Sequence, residues 1–227
     1  MIFPVAVFLL AAFFLALPVT RRSTLWLLDE NHPVEILTFI FLLAGGLRGA
    51  ILAWWAYRHG EAKLCIWFYL VFAAGLLLTA MEEIAWGQKF LDFETPSAWK
   101  ELNAQGEMTL HNIHGLQGHT ELFRLAFGLG GLIGIWAARY PSLRKIAAPA
   151  ILLSWFLVIT AHSVVDLFND IVPVQKDFDA AMNRLSELTE MLIGIAGFLY
   201  MHLNSRMFAG KRSGPIDIVS PPRRGLS

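Results

Sequence analysis

The chain has 227 residues, of which 56% are hydrophobic and only 16% charged. Soluble domains carry about 25% charged residues, so this composition argues against one. Formal net charge is zero and no basic run is interleaved with aromatics, which argues against nucleic acid as a partner. The single cysteine, Cys65, excludes an intrachain disulfide.

Apolar runs of about 20 residues match the helix length that crosses roughly 30 Å of hydrocarbon. Six are predicted: Ile2–Thr20, Val34–Tyr57, Leu64–Ile84, Leu122–Trp136, Ile146–Val165 and Thr189–Asn204, the fourth with a start open back to His119. The runs are too long and too uniform for barrel strands, and a backbone in lipid must satisfy its own polar groups, which leaves helices. The expected fold is an all-α polytopic membrane protein, a bundle of six transmembrane helices plus a short interfacial helix. Residues 1–205 form one domain and 206–227 a basic, Pro/Gly-rich, poorly ordered tail.

In chain order, the first run has no positive residue before it and no A-x-A-like site after it, so it reads as a retained helix ended by Arg21 and Arg22. A loop to Pro33 follows. In the second span Gly45 and Gly49 make a G-x-x-x-G packing face, and Arg48, a charge at depth, calls for snorkelling or a structural partner. Trp54, Trp55 and Tyr57, then Trp67 and Tyr69, read as an aromatic belt at one interface.

The third loop, 87–119, opens after Glu82 and Glu83. Pro96 at a helix start, the apolar Ala98, Trp99 and Leu102, and Gly106 at the end predict a short helix lying along the interface. The loop closes on His111, His114 and His119. Gly128, Gly130, Gly131 and Gly134 give the fourth span a small-residue face. His162, Asp166 and Asp170 recur every four residues along one face of the fifth. A polar loop with Asp177, Asp179 and Arg184 leads to Glu187 and Glu190 at the sixth.

Six crossings put sixteen of the eighteen acidic residues, and five of seven histidines, on the side of loops one, three and five. Lys and Arg favour the opposite side, ten against seven, so the positive-inside rule places both termini in the cytoplasm and the acidic face outward, in the periplasm of a bacterial inner membrane.

That face is a candidate divalent-metal site. Glu107 and His111 are four apart, His111 and His114 three apart, His162 and Asp166 four apart. With Glu83 and Glu190 they make a mixed N/O donor set suited to zinc, iron or manganese, and a metal-bound water would be a hydrolytic nucleophile. Glu82 or Glu107 is then the proton carrier. A site there suits a lipid-like substrate arriving sideways from the bilayer. The alternative is a non-catalytic accessory subunit that binds partner subunits of a membrane complex. Its carboxylates and histidines would form a hydrogen-bonded plug ordering the third loop, completed by Gln88, Asn103, Gln105 and Asn112. A proton or cation transporter is disfavoured because no acidic residue falls mid-span.

The order E-E-I-A-W-G-Q (82–88), F-E-T-P (93–96), N-A-Q-G-E (103–107) and H-N (111–112) resembles a signature recurring in uncharacterised bacterial multi-spanning membrane proteins. The resemblance covers 31 residues and implies a shared site without a particular chemistry. Membrane hydrolases of the alkaline ceramidase class also gather His, Asp and Ser at one membrane face. Ser154, His162 and Asp166 do not reproduce their spacing, so the parallel is one of placement only.

Overall fold

The structure is a computed structural model that describes residues 2–29, 32–91, 93–103, 106, 108–110, 120–172 and 176–210. The described residues form helices: α1 (Phe3–Ala16), α2 (Pro18–Leu27), α3 (Pro33–Arg58), α4 (Lys63–Glu83), α5 (Gln88–Leu91), α6 (Ser97–Leu102), α7 (Thr120–Ala137), α8 (Leu153–Ile171) and α9 (Lys176–Gly210). Four stretches are long and apolar enough to cross a membrane: α3, α4, α7 and Ala150–Asn169, which includes most of α8. That fits a multi-pass membrane protein.

Burial runs opposite to that of a soluble domain. Leu47, Ile51 and Trp54 on α3, Trp67 and Val71 on α4, and Phe123 and Ile133 on α7 face outward, each more than half exposed. Thr38, His162, Ser163, Asp166, Thr189 and Asn204 are buried. An apolar rim around polar contacts is stable where the surrounding medium is hydrocarbon, because only the interior can supply hydrogen-bond partners.

α9 is the common neighbour of the bundle. α3 packs on α4 and on α9, α7 on α8, and α8, α1 and α7 also touch α9. Glycines permit the closest approaches. A Cβ on Gly45 would lie 3.1 Å from the Phe198 backbone, and one on Gly49 2.6 Å from Met201 Cε, so the predicted G-x-x-x-G is the α3–α9 seam. Cβ atoms on Gly128 and Gly131 would collide with Thr160 and Phe156 across the α7–α8 seam. Arg48 has a structural partner: its Nε and Nη2 donate to Ser205 Oγ on α9, at 3.1 and 2.7 Å.

Three predicted boundaries change. The first run is not one helix. Pro18 drives Leu17 to an extended conformation (ψ 123°) and splits it into α1, 14 residues, and α2, which carries Arg21 and Arg22 inside it. α1 is about 21 Å long at helical rise, short of a full crossing. The fifth helix starts later than predicted, with Ile146–Pro149 outside it. The carbonyls of Lys145, Ile146 and Ala147 are taken instead by Tyr69 Oη, Tyr200 Oη and Asn204 Nδ2. Tyr69 is therefore fully buried and not part of a belt, whereas Trp54, Tyr57 and Trp67 are exposed as a belt requires. Finally, the polar loop before the sixth run is helical. α9 spans 35 residues, with Met182, Leu185 and Leu188 turned inward, and it continues through Arg206 to Gly210.

Candidate functional site

α4 ends, α7 begins, α8 ends and the polar part of α9 passes at one end of the bundle. The central side chain is Arg124, one turn into α7 and 6% exposed. Its Nη2 donates to Asp166 Oδ2 on α8 and its Nη1 to Glu190 Oε1 on α9, both at 2.7 Å. Nη1 also reaches Thr120 Oγ1 at 3.2 Å, and Ser186 Oγ donates to Asp166 Oδ2 at 3.2 Å. Three helices are thus joined through one guanidinium, whose planar fork suits two carboxylates. Such a pair gains little net stability over apolar packing, but removing one partner strands a buried charge.

Glu83, the last residue of α4, is half-buried and lies within electrostatic reach of Glu190, Glu187, Glu35 and Glu82. Carboxylates from α3, α4, α8 and α9 therefore share this end. Arg124 answers two of them, and Arg184 is engaged with Asp29 at 2.6 Å.

His162 stands one turn before Asp166 and is 4% exposed. Neither ring nitrogen makes a full hydrogen bond among the described residues, though the Met182 backbone lies within reach of the ring. The ring meets Phe8 edge-on, centroids 5.3 Å apart.

The third loop is tied to the end of α4. Glu82 accepts from Trp86 Nε1 at 2.7 Å through one oxygen and from the Leu110 amide through the other. Gln88 donates to Thr95 Oγ1 at 2.6 Å and accepts from the Met108 amide at 3.0 Å. Asn103 Nδ2 donates to the Thr109 carbonyl at 2.7 Å. Between them the backbone turns through a left-handed run: Ala85 (φ 45°), Trp86 (φ 57°) and Gly87 (φ 81°). Ala and Trp in that region cost on the order of 1–3 kcal/mol each. The turn brings the Trp86 indole back over Glu82.

Of the predicted site residues, Glu83, Asp166 and Glu190 come together, with His162 beside Asp166 and Glu82 at the α4 terminus. Glu107, His111 and His114 lie outside the described residues, as do His119, Gln105 and Asn112. Among the described residues no group of three or more His, Cys, Asp or Glu is disposed to hold a metal ion. Arg124 and Ser186 are absent from the sequence-based set. A single Arg just inside an apolar run was the available signal for Arg124. No protein-family model, curated protein or solved structure matches this chain.

Proposed function

We propose that the chain is an enzyme of a bacterial cytoplasmic membrane, a metal-dependent hydrolase acting on a lipid-like substrate at its carboxylate-rich face. The observation that carries this reading is the gathering of Glu83 with Glu35, Glu187 and Glu190 at the end of the bundle where Asp166 and the buried His162 also lie. A divalent cation there would need His111 and His114 of the third loop beside Glu83 and Glu190, with His162 close by, because the described residues alone gather no such set. Asp166 belongs to the frame, since Arg124 and Ser186 hold it. The cation would acidify a bound water; the protein's part is to fix its position and exclude bulk solvent. In this reading Thr189–Asn204 and the α1–α2 segment supply the remaining crossings, and the termini are cytoplasmic.

The test is elemental mass spectrometry on detergent-purified protein, beside a Glu83→Gln/His162→Ala variant checked for monodispersity. Near-stoichiometric zinc, iron or manganese that disappears in the variant is the expected result. A metal-free, folded protein that takes up none on addition sinks the reading.

A second reading, a non-catalytic subunit, is favoured by one observation: Asp166, Glu190, Glu82, Gln88 and Asn103 are already engaged in contacts that hold helices and loop together. Co-purification of defined partners at fixed stoichiometry would select it.

A further inference from the structure

α1 and α2 meet at an elbow that is held from two sides. Thr20 Oγ1 donates to the Phe14 carbonyl at 2.8 Å, across the bend made by Pro18. Leu15 and Leu28 pack with Leu185 and Leu188 of α9 in one apolar cluster. Between the elbow and the first turns of α9 lies a cleft of about 290 Å³. Its walls include Ala12 and Leu15 of α1, Arg21 and Leu25 of α2, and Phe178 and Leu185 of α9. Phe178 and Leu185 are seven residues apart, so the cleft follows α9 for about 10 Å. Among the described residues, Arg21 is the one polar side chain in the lining.

Leu9, Leu10 and Phe13 on α1 face outward, each more than half exposed, as side chains in hydrocarbon do. Five residues past the end of α1 come Arg21 and Arg22, both exposed. Adjacent arginines are costly in hydrocarbon, so the elbow marks the level at which hydrocarbon gives way to headgroups. α2 suits that level. Val19, Arg22 and Trp26, three and four residues apart, form its exposed stripe, and tryptophan favours the membrane–water interface. Arg21 and Leu25, four apart, form the stripe turned to the cleft.

The Arg21 guanidinium makes no hydrogen bond or ion pair among the described residues. Carboxylates of the adjoining segments have partners of their own. Asp29, just past α2, is held by Arg184 at 2.6 Å, and Asp179 on α9 accepts from Asn169 at 2.9 Å. An apolar cleft with one unanswered guanidinium at its mouth fits an amphiphile with an anionic head. A phosphate takes the planar fork of arginine through two oxygens. The volume is at the low end for small-ligand pockets, about 300–1,000 Å³, which suits one acyl chain rather than two.

We infer that the cleft between the α1–α2 elbow and α9 binds an anionic phospholipid, with its phosphate on Arg21 and one acyl chain along Leu15 and Leu185. Binding there requires neither a metal nor hydrolysis, so it stands apart from the proposed function.

In the test, the full chain is placed in nanodiscs carrying a phosphatidylglycerol with a diazirine on its acyl chain, or a phosphatidylcholine with the same chain. Irradiation is followed by peptide mapping. The expected result is phosphatidylglycerol labelling concentrated on residues 12–16 and 178–185, several-fold above the phosphatidylcholine labelling there. Arg21→Gln should reduce it several-fold, while labelling of the outward α7 face near Ile133 is unchanged. Arg22→Gln, which removes a neighbouring charge outside the lining, should leave most of the signal. Ala16→Trp, which fills the cleft from an exposed position and keeps Arg21, should abolish it, and serves if Arg21→Gln does not fold. Equal labelling by the two lipids, an equal loss in Arg21→Gln and Arg22→Gln, or a cross-link to a second protein chain seated in the cleft overturns the proposal.

Discussion

Asp166 on α8 receives its hydrogen bond from Arg124 on α7 at 2.7 Å, and the side chains of both are 7% exposed. The two lie 42 residues apart in sequence, and Glu190, which completes the clamp, is 66 residues from Arg124. Arg124→Leu leaves both carboxylates facing each other without their cation. A loss of about 3–5 kcal/mol is expected, the range for breaking a buried pair from one side. Unfolding in mixed detergent, followed by circular dichroism, measures it. Arg124→Leu/Asp166→Asn/Glu190→Gln, which removes all three charges, should recover a large part of the loss. If the triple variant is less stable than the single one, the clamp account fails.

The α7 glycines should separate sharply. Gly131→Ala drives a methyl into the Phe156 ring, whereas the same change at Gly130 enters open space. Gly131→Ala is expected to cost about 1–3 kcal/mol by overpacking, and Gly130→Ala to be near neutral. Thermal denaturation of the two variants in one detergent compares them; equal losses would contradict the described α7–α8 seam.

At the opposite end, Asn204 is fully buried and donates to Tyr69 Oη at 3.0 Å and to the Ala147 carbonyl at 3.2 Å. Asn204→Leu strands both acceptors, and a cost of about 1–3 kcal/mol follows from leaving buried polar groups unpaired. Tyr200→Phe, which leaves the Asn204 bonds in place and removes the donor to the Ile146 carbonyl, should cost less. Denaturation midpoints rank them, and the reverse order would contradict the network.

Glu82 holds Leu110 and Trp86, and Gln88 holds Met108 and Thr95. Glu82→Ala/Gln88→Ala should raise the rate of proteolytic cleavage at residues 108–110 several-fold while the melting temperature of the helical bundle stays within a few degrees. Unchanged cleavage would mean that these side chains do not order the loop.

The helices most fit to cross a membrane are also those most legible in the sequence. α3 and α4 end within a residue of their apolar runs, and α7 starts two residues earlier and ends one later than predicted, because a uniformly apolar run of that length has no other stable form in hydrocarbon. Where the pattern mixes, sequence reading slips. Residues 176–188 look like a polar loop because charge dominates, yet Met182, Leu185 and Leu188 recur at helical spacing and pack inward as the first turns of α9. Ile146–Pro149 look like helix because they are apolar, yet Tyr69, Tyr200 and Asn204 supply the hydrogen bonds that a helix would otherwise provide.

The sequence by itself determined that the chain is helical and that it carries runs fit for a membrane, since composition and apolar periodicity are local properties. Only the tertiary structure decided that Asp166 and Glu190 share Arg124, that Glu82 anchors the third loop, and that the α1–α2 elbow leaves a cleft against α9. Those relationships depend on which helices pack side by side, and no local periodicity encodes contacts between residues 42 or 66 positions apart.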